Sequence, residues 1–294
     1  MKFKKSPGYI LFLIMNYGVL FFLAATCFFP ILHVLALSMS SSAAASSGRV
    51  LILPVEFNLQ SYRYVVENNA FLKAFAVSVK RVALGVPINM FLTVLSAYPL
   101  SRRKEQFRMK TFFTWFFLFT ILFSGGMIPW YMVIKETGLL DTIWAMIIPG
   151  AVPVFNVILL VNYFRSIPAE LEEAAYMDGA SHWCILWKIF LPISVPTLAT
   201  VTLFSMLNHW NSWFDGLILM NNPDKYPLQS YMQTIVISRD PTTLTERDLD
   251  LLKIISDKTT KSAQLFIAMI PIICVYPFLQ KYFTTGLIVG GIKG

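Results

Sequence analysis

A cluster of polar and aromatic residues, Asn208–Asp215, interrupts one of the long apolar stretches of this chain. Polar groups at membrane depth are costly, and they usually face the interior of a helix bundle or a water-filled path. Amides and carboxylates can bind hydroxyl groups of a solute, and aromatic rings can pack against its apolar faces. Hydrogen bonding and packing between helices is the alternative use of such side chains, and Asp215 could instead lie at the outer interface. The candidates for lining a solute path are Asn208, His209, Trp210, Asn211 and Asp215.

No residues of the sequence are spaced for catalysis or metal binding. His33, His182 and His209 stand far apart, and neither a His-Glu-x-x-His pattern nor a nucleophile elbow is present. A phosphate-binding Gly-x-x-x-x-Gly-Lys-Ser/Thr loop is also lacking. We therefore expect no catalytic residue, metal or cofactor on this chain. If the chain works with ATP, the nucleotide and its Mg²⁺ must bind to another polypeptide.

A short polar segment between two apolar stretches, 166–192, predicts a helical hairpin. Acidic residues crowd the first turns of its first helix, where the helix dipole favours negative charge. Gly179 ends that helix, because glycine adopts the left-handed conformation at low cost, and Pro192 stops the second. Residues at three- and four-residue steps would give the second helix a single aromatic and apolar face. These residues are Trp183, Leu186, Trp187 and Phe190.

The composition is that of a polytopic membrane protein. Hydrophobic residues make up 56% of the 294 residues and charged residues 14%, whereas a soluble domain carries about 25% charged residues. Since about 20 apolar residues cross a bilayer, we expect an all-α bundle of about six transmembrane helices. The apolar stretches run roughly over 10–38, 76–100, 111–134, 143–164, 193–220 and 261–281.

Charge placement favours an orientation with both termini in the cytoplasm. The net charge is +8, and cations cluster beside the predicted inner ends of the spans, above all at 102–110. No soluble basic face remains for nucleic acid. Lys80 and Arg81 fall inside the second apolar stretch, and we expect both to reach an interface, because a cation at mid-bilayer costs about 2.5–3.5 kcal/mol. A serine- and alanine-rich run, 38–47, predicts a flexible external segment.

The segment from Glu173 to Pro192 resembles the EAA loop of the permeases of bacterial ATP-binding-cassette (ABC) importers. Its order is Glu-Ala-Ala, three residues, Gly, nine residues, then Ile-x-Leu-Pro. Three further segments, 124–129, 138–142 and 282–294, resemble MalG-type, LplC-like carbohydrate permeases. The resemblance assigns ATPase coupling to one set of residues. They are Glu173, Ala174, Ala175, Gly179, Trp183, Trp187, Ile189, Leu191 and Pro192.

The same resemblance implies a type I importer (MetI-like) fold with both termini inside. We expect a signal-anchor helix and external loop at 1–70, a permease core at 71–282 with the coupling loop at 166–192, and a cytoplasmic tail at 283–294, which would form a short strand or hook.

In function, the resemblance implies a subunit without enzymatic activity that forms half of the path of an ATP-driven, binding-protein-dependent importer of oligosaccharides. Its implied partners are a homologous MalF-type permease, two copies of an ABC ATPase, an extracytoplasmic solute-binding protein and the lipid bilayer of the bacterial cell membrane. In relatives the MalF-type partner holds most of the cargo contacts. A permease for a non-sugar solute is one alternative. A secondary transporter is the other, although it would need an intramembrane charge relay.

Overall fold

A computed structural model describes residues 7–237 and 257–290 of the protein. All regular structure in these residues is helical, which confirms the predicted all-α class. The chain divides into two compact units, with boundaries between Asn69 and Ala70 and between Pro271 and Ile272. The predicted domain limits at 70/71 and 282/283 stay predictions.

The first unit begins with a long apolar helix, α1 (Pro7–Ser38), followed by α2 (Ser42–Ser46) and α3 (Gln60–Glu67). The prediction of a flexible serine- and alanine-rich segment is wrong for α2. Ser41 caps this helix by accepting a hydrogen bond from the backbone N–H of Ala44, and Ala44 is fully buried in a small core. Alanine and serine side chains are small enough to pack closely. A sequence pattern of low complexity does not reveal this packing.

The second unit holds most of the apolar helices. The helix α4 (Asn69–Ser101) starts at the boundary and runs through the unit without interruption, and α14 (Asp257–Gly290) crosses from the first unit into the second. The tail was predicted as a strand or hook, but α14 is helical to Gly290; residues 291–294 lie outside the described residues. The intervening helices are α5 (Lys110–Leu122), α6 (Met127–Glu136), α7 (Val154–Ser166), α8 (Ala169–Met177), α9 (His182–Ile185), α10 (Leu191–Ile193), α11 (Val195–Asn211), α12 (Phe214–Leu219) and α13 (Leu228–Ile237).

Three helices of the described residues are long and apolar enough to cross a membrane, and three bent helix pairs raise the number to six if each pair is one span. The predicted number of about six agrees with that reading. The long helices lie within Pro7–Ser38, Asn69–Ser101 and Lys258–Tyr282. The pairs are Lys110–Leu122 with Met127–Glu136, Ile143–Gly150 with Val154–Ser166, and His182–Ile193 with Val195–Asn211.

The third predicted span is broken at a glycine. Gly126 has a φ of +85°, and α5 and α6 meet there at 116°. A residue with a β-carbon would be strained at this φ. Because the bend exceeds 90°, α6 turns back relative to the direction of α5. Two 3₁₀ turns, Ile143–Met146 and Ile148–Gly150, follow α6 and lead to α7.

Candidate functional site

A cavity of about 500 Å³ lies among α4, α7, α11 and the loop before α12. Its walls combine polar side chains with aromatic rings. The polar members include Arg81, Asn89, Asn156, Asn208, His209, Ser212 and Asp215, and the aromatic members are Trp130, Phe155 and Phe204. Such a lining suits a ligand with both hydroxyl groups and an apolar ring face.

The charged part of the cavity lining is an ion pair between Arg81 and Asp215. The Arg81 guanidinium donates to both carboxylate oxygens, and its Nη1 lies 3.2 Å from Oδ1. Asp215 also accepts from the Ser212 hydroxyl at 2.8 Å and from the Gly216 N–H at 2.9 Å. The side chain of Arg81 is only 3% exposed. The Asp215 carboxylate and the Met146 carbonyl compensate the charge of Arg81 inside the protein. That Arg81 lies near a membrane interface stays a prediction.

Several amides beside the cavity hold helices together. The Asn89 amide donates to the Gly150 carbonyl at 2.9 Å, which leaves its oxygen to accept from Nε2 of His209 at 2.6 Å. The Asn156 amide donates to the Ser205 hydroxyl at 3.1 Å. These bonds join α4, α7 and α11, and they favour the packing interpretation for the two asparagines and for the His209 ring.

Only some of the residues predicted to line a path face the cavity. Asn208, His209 and Asp215 do line the cavity, and the Asn208 side chain is exposed. The cavity wall, as far as described residues form it, does not include Trp210 or Asn211. Trp210 is buried edge-on against Phe75, with ring centroids 5.7 Å apart. On a helix, consecutive residues point about 100° apart, so a run of adjacent polar residues cannot share one face.

The segment 166–192 forms the predicted hairpin, with differences at its second arm. Gly179 has a φ of +75° and follows α8, as expected for a glycine that ends a helix. Ser181 caps α9, and a π-helical turn, Leu186–Phe190, joins α9 to α10. Pro192 does not stop this arm, since α10 continues to Ile193. The chain bends by 83° into α11 only after that residue.

The second arm of this hairpin has two faces where one was predicted. Leu186 and Phe190 are buried in a core with α4 and α7, whereas Trp183 is 61% and Trp187 56% exposed. The π-helical turn inserts an extra residue, which separates the tryptophans from the buried positions. Among the other predicted coupling residues, Ala175 is buried and Ile189 and Leu191 are half-buried. Those that remain exposed are Glu173, Ala174, Gly179 and Pro192.

A buried ion pair that the sequence did not suggest fastens the first arm. Arg102, directly after α4, pairs with Glu172 of α8. The Tyr176 hydroxyl donates to Glu172 at 3.1 Å, and Nδ1 of His182 lies 2.9 Å from the same hydroxyl. Burial, and next the negative charge of Glu172, raise the pKa of Tyr176 to about 12. Tyr176 therefore keeps its proton as a donor at neutral pH.

Comparison with known proteins identifies the family. The profile described as "Binding-protein-dependent transport system inner membrane component" matches residues 66–289. The chain is 38% identical over 284 residues to the polygalacturonan/rhamnogalacturonan transport system permease protein YtcP of Bacillus subtilis, covering 97% of this chain and 99% of the relative. It is 39% identical over 265 residues to Protein LplC of the same organism, covering 90% and 89%.

A solved structure supports the same assignment. The crystal structure of a bacterial ABC transporter involved in the import of the acidic polysaccharide alginate contains a chain that matches with a TM-score of 0.86 and 35% identity. The match covers 95% of this protein and 99% of that chain. The helical architecture, the hairpin at 166–192 and these likenesses agree with one another. The chain belongs to the family of binding-protein-dependent transport system inner membrane components, the permeases of ABC importers.

Proposed function

We propose that this protein is a permease subunit of an ATP-driven importer of oligosaccharides released from polysaccharides. Relatives named for polygalacturonan, rhamnogalacturonan and alginate transport support the substrate class. The subunit would span the bacterial cell membrane several times, pair with a homologous MalF-type permease and receive cargo from an extracytoplasmic solute-binding protein. ATP and Mg²⁺ would be held by two copies of a separate ABC ATPase.

The observation that carries this proposal is the pair of exposed tryptophans on a rigid hairpin. Trp183 and Trp187 lie four residues apart on an arm whose opposite side is buried. Large aromatic side chains on a fixed support are typical anchors of protein interfaces. Glu173 is exposed on the neighbouring helix, and its loose ion pair with the exposed Arg103, at 3.9 Å, could be exchanged for an arginine of a partner. We therefore assign the hairpin to the groove of the ATPase, which would close on ATP binding and move it.

The cavity supports a second part of the proposal, that this subunit contributes to the cargo path. The exposed amide of Asn208 faces the cavity together with the rings of Phe155 and Phe204, whose centroids are 6.2 Å apart. An amide can exchange hydrogen bonds with hydroxyls, and the two rings offer an apolar surface to a sugar. Asp215 and His209 would hold the lining residues in place and would not bind cargo, since both are already bonded to neighbouring residues.

A matched pair of glycine variants tests the coupling role. Gly179 in the hairpin and Gly138 in the loop after α6 have φ values of +75° and +70°, and a β-carbon added at either position would meet no atom within 4 Å. Valine would strain both backbones alike. After reconstitution with the partner permease, the ATPase and the binding protein, Gly179→Val should hydrolyse ATP without sugar uptake, and Gly138→Val should keep the two coupled.

Two results would contradict the proposal. Sugar-stimulated ATP hydrolysis and uptake at wild-type levels in the Gly179→Val complex would remove the hairpin from the coupling route. Uptake by the wild-type subunit alone, without an ATPase and without ATP, would favour a secondary transporter. A tagged subunit purified from its own membrane in gentle detergent provides the complex, because an importer permease should bring an ATPase and a second permease with it.

A further inference from the structure

The guanidinium of Arg102 joins three elements at the membrane end of the hairpin. It lies 4.6 Å from the ring centroid of Tyr98 in α4 and 4.3 Å from that of Phe190 in the π-helical turn. It also pairs with Glu172 in α8. The Arg102 side chain is 6% exposed and that of Glu172 14%. One cation therefore contacts the second apolar helix and both arms of the hairpin.

The surrounding contacts extend this connection. The Tyr98 and Phe190 rings meet edge to face at 5.5 Å, and Phe164 of α7 packs edge-on against Phe190 at 5.4 Å. Nη2 of Arg165, at the end of α7, donates to the Leu100 carbonyl at 3.2 Å. The Arg102 carbonyl accepts from Lys110 at the start of α5. The hairpin is thus fixed to the ends of α4 and α7, and α5 is joined to the same place through Arg102.

Two adjacent acidic residues differ in their surroundings. Glu172 is turned inward to Arg102, whereas Glu173 is 66% exposed and lies 3.9 Å from the exposed Arg103. An exposed pair at this distance contributes little stability. Breaking a buried pair costs much more stability, because removing one partner leaves an uncompensated charge in a medium of low dielectric. The inward pair therefore keeps the hairpin in position, and the outward carboxylate remains available to a partner.

We propose that Arg102 is a positioning residue of the transport cycle, which makes the hairpin and α4 move as one rigid body when the ATPase closes. This inference rests on the proposed coupling function of the hairpin. Arginine suits the task because its guanidinium can lie close to two aromatic rings while it binds a carboxylate with its edge. Without it, the hairpin could follow the ATPase while α4 lags behind, and ATP would be hydrolysed without moving cargo.

The test measures sugar molecules taken up per ATP hydrolysed, in vesicles that contain the whole importer and are supplied with alginate- or galacturonate-derived oligosaccharides. Arg102→Gln should lower this ratio about 5-fold or more, the lower end of typical coupling between sites. Arg102→Lys, which keeps the charge above the rings, should recover most of it. Lys104→Gln, an exposed cation two residues away, should leave the ratio at the wild-type value.

A purely structural role would lower uptake and ATP hydrolysis in parallel, so an unchanged ratio in Arg102→Gln would overturn the inference. If that variant does not assemble, Phe190→Leu decides the question, because it removes one stacking ring and keeps the ion pair. A reduced ratio in Phe190→Leu supports the inference, and a wild-type ratio overturns it. A wild-type complex that takes up no sugar would instead refute the proposed function, which separates the two failures.

Discussion

The imidazole of His209 lies against the backbone of Gly85, so closely that a β-carbon at position 85 would be 2.5 Å from its Nε2. The same Nε2 donates to the Asn89 oxygen, one helical turn further along α4. Glycine at position 85 thus allows α4 and α11 to approach and brings the ring to its hydrogen-bond partner. Close backbone approach through small residues is a common means of packing helices in membranes.

We expect Gly85→Ala to destabilise the protein by about 1–3 kcal/mol, the usual cost of overpacking, because the ring must leave Asn89. Thermal unfolding in detergent measures the effect. Gly18→Ala in α1 is the matched control, since a β-carbon there meets no atom within 4 Å. Equal melting temperatures for the two variants would contradict the prediction.

The Arg81–Asp215 pair should behave as a coupled unit. Arg81→Met or Asp215→Asn alone should each lower the free energy of unfolding by about 3–5 kcal/mol, because each leaves a buried charge without its partner. The double variant should cost clearly less than the sum of the two, as a double-mutant cycle in detergent would measure. Lys80→Met changes the exposed neighbouring cation and should leave the free energy of unfolding almost unchanged. Additive losses in the double variant would show that the two charges do not depend on each other.

The exposed tryptophans should determine how tightly the ATPase binds. Trp183→Ala and Trp187→Ala are each expected to weaken the complex by about 2 kcal/mol or more, as aromatic anchors commonly do. Titration of the ATPase into the reconstituted permease pair gives the affinities. Trp115→Ala in α5 is the control, because that ring is 66% exposed but lies on an apolar helix outside the hairpin. If both hairpin variants bind the ATPase as tightly as the wild type, the two tryptophans do not contribute to the interface.

An ion pair between Asp141 and Lys225 predicts an acid-sensitive contact. The hydrogen bond from Lys225, helped by the backbone N–H groups of Asn221 and Asn222, lowers the pKa of Asp141 below its ordinary value of 3.8. A lowered pKa in the folded state adds stability above the ordinary pKa, and this stability is lost as the pH falls through the folded value. The melting temperature should therefore fall upon acidification below about pH 4.

Asp141→Asn separates this contact from the other carboxylates. Asparagine tolerates the positive φ of +60° at this position, so the backbone should remain in place while the titrating group is removed. Below about pH 4 the variant should lose less stability than the wild type, relative to neutral pH. Parallel pH curves for the two proteins would show that the ion pair contributes nothing.

Local patterns in the sequence predicted the local structure well. A single residue, Gly179, determines where the first arm of the hairpin ends, because only its own backbone conformation is involved. The apolar stretches indicated the helices, since the thickness of a bilayer fixes the length of a spanning helix and apolar runs of that length can be read directly from the sequence.

Contacts between distant segments escaped prediction. The pairing of Arg81 with Asp215 was not predicted, because the two residues are 134 positions apart and one sequence does not indicate which distant residues meet. Arg102 was counted only among the cations that set the orientation, although its burial depends on Phe190 and Glu172 together. The π-helical turn was missed as well, because regular helical spacing placed Trp183 and Phe190 on one face.

The π-helical turn Leu186–Phe190 makes the second arm of the hairpin sensitive to the number of its residues. Each residue of an α-helix advances the direction of the next by about 100°. Deleting one residue from the turn would therefore rotate Trp183 by roughly that angle about the helix axis while Phe190 remained in its core. The number of residues between Ser181 and Ser194 thus sets the angular alignment of the proposed docking surface, and a single-residue insertion or deletion there should be tolerated less well than most substitutions.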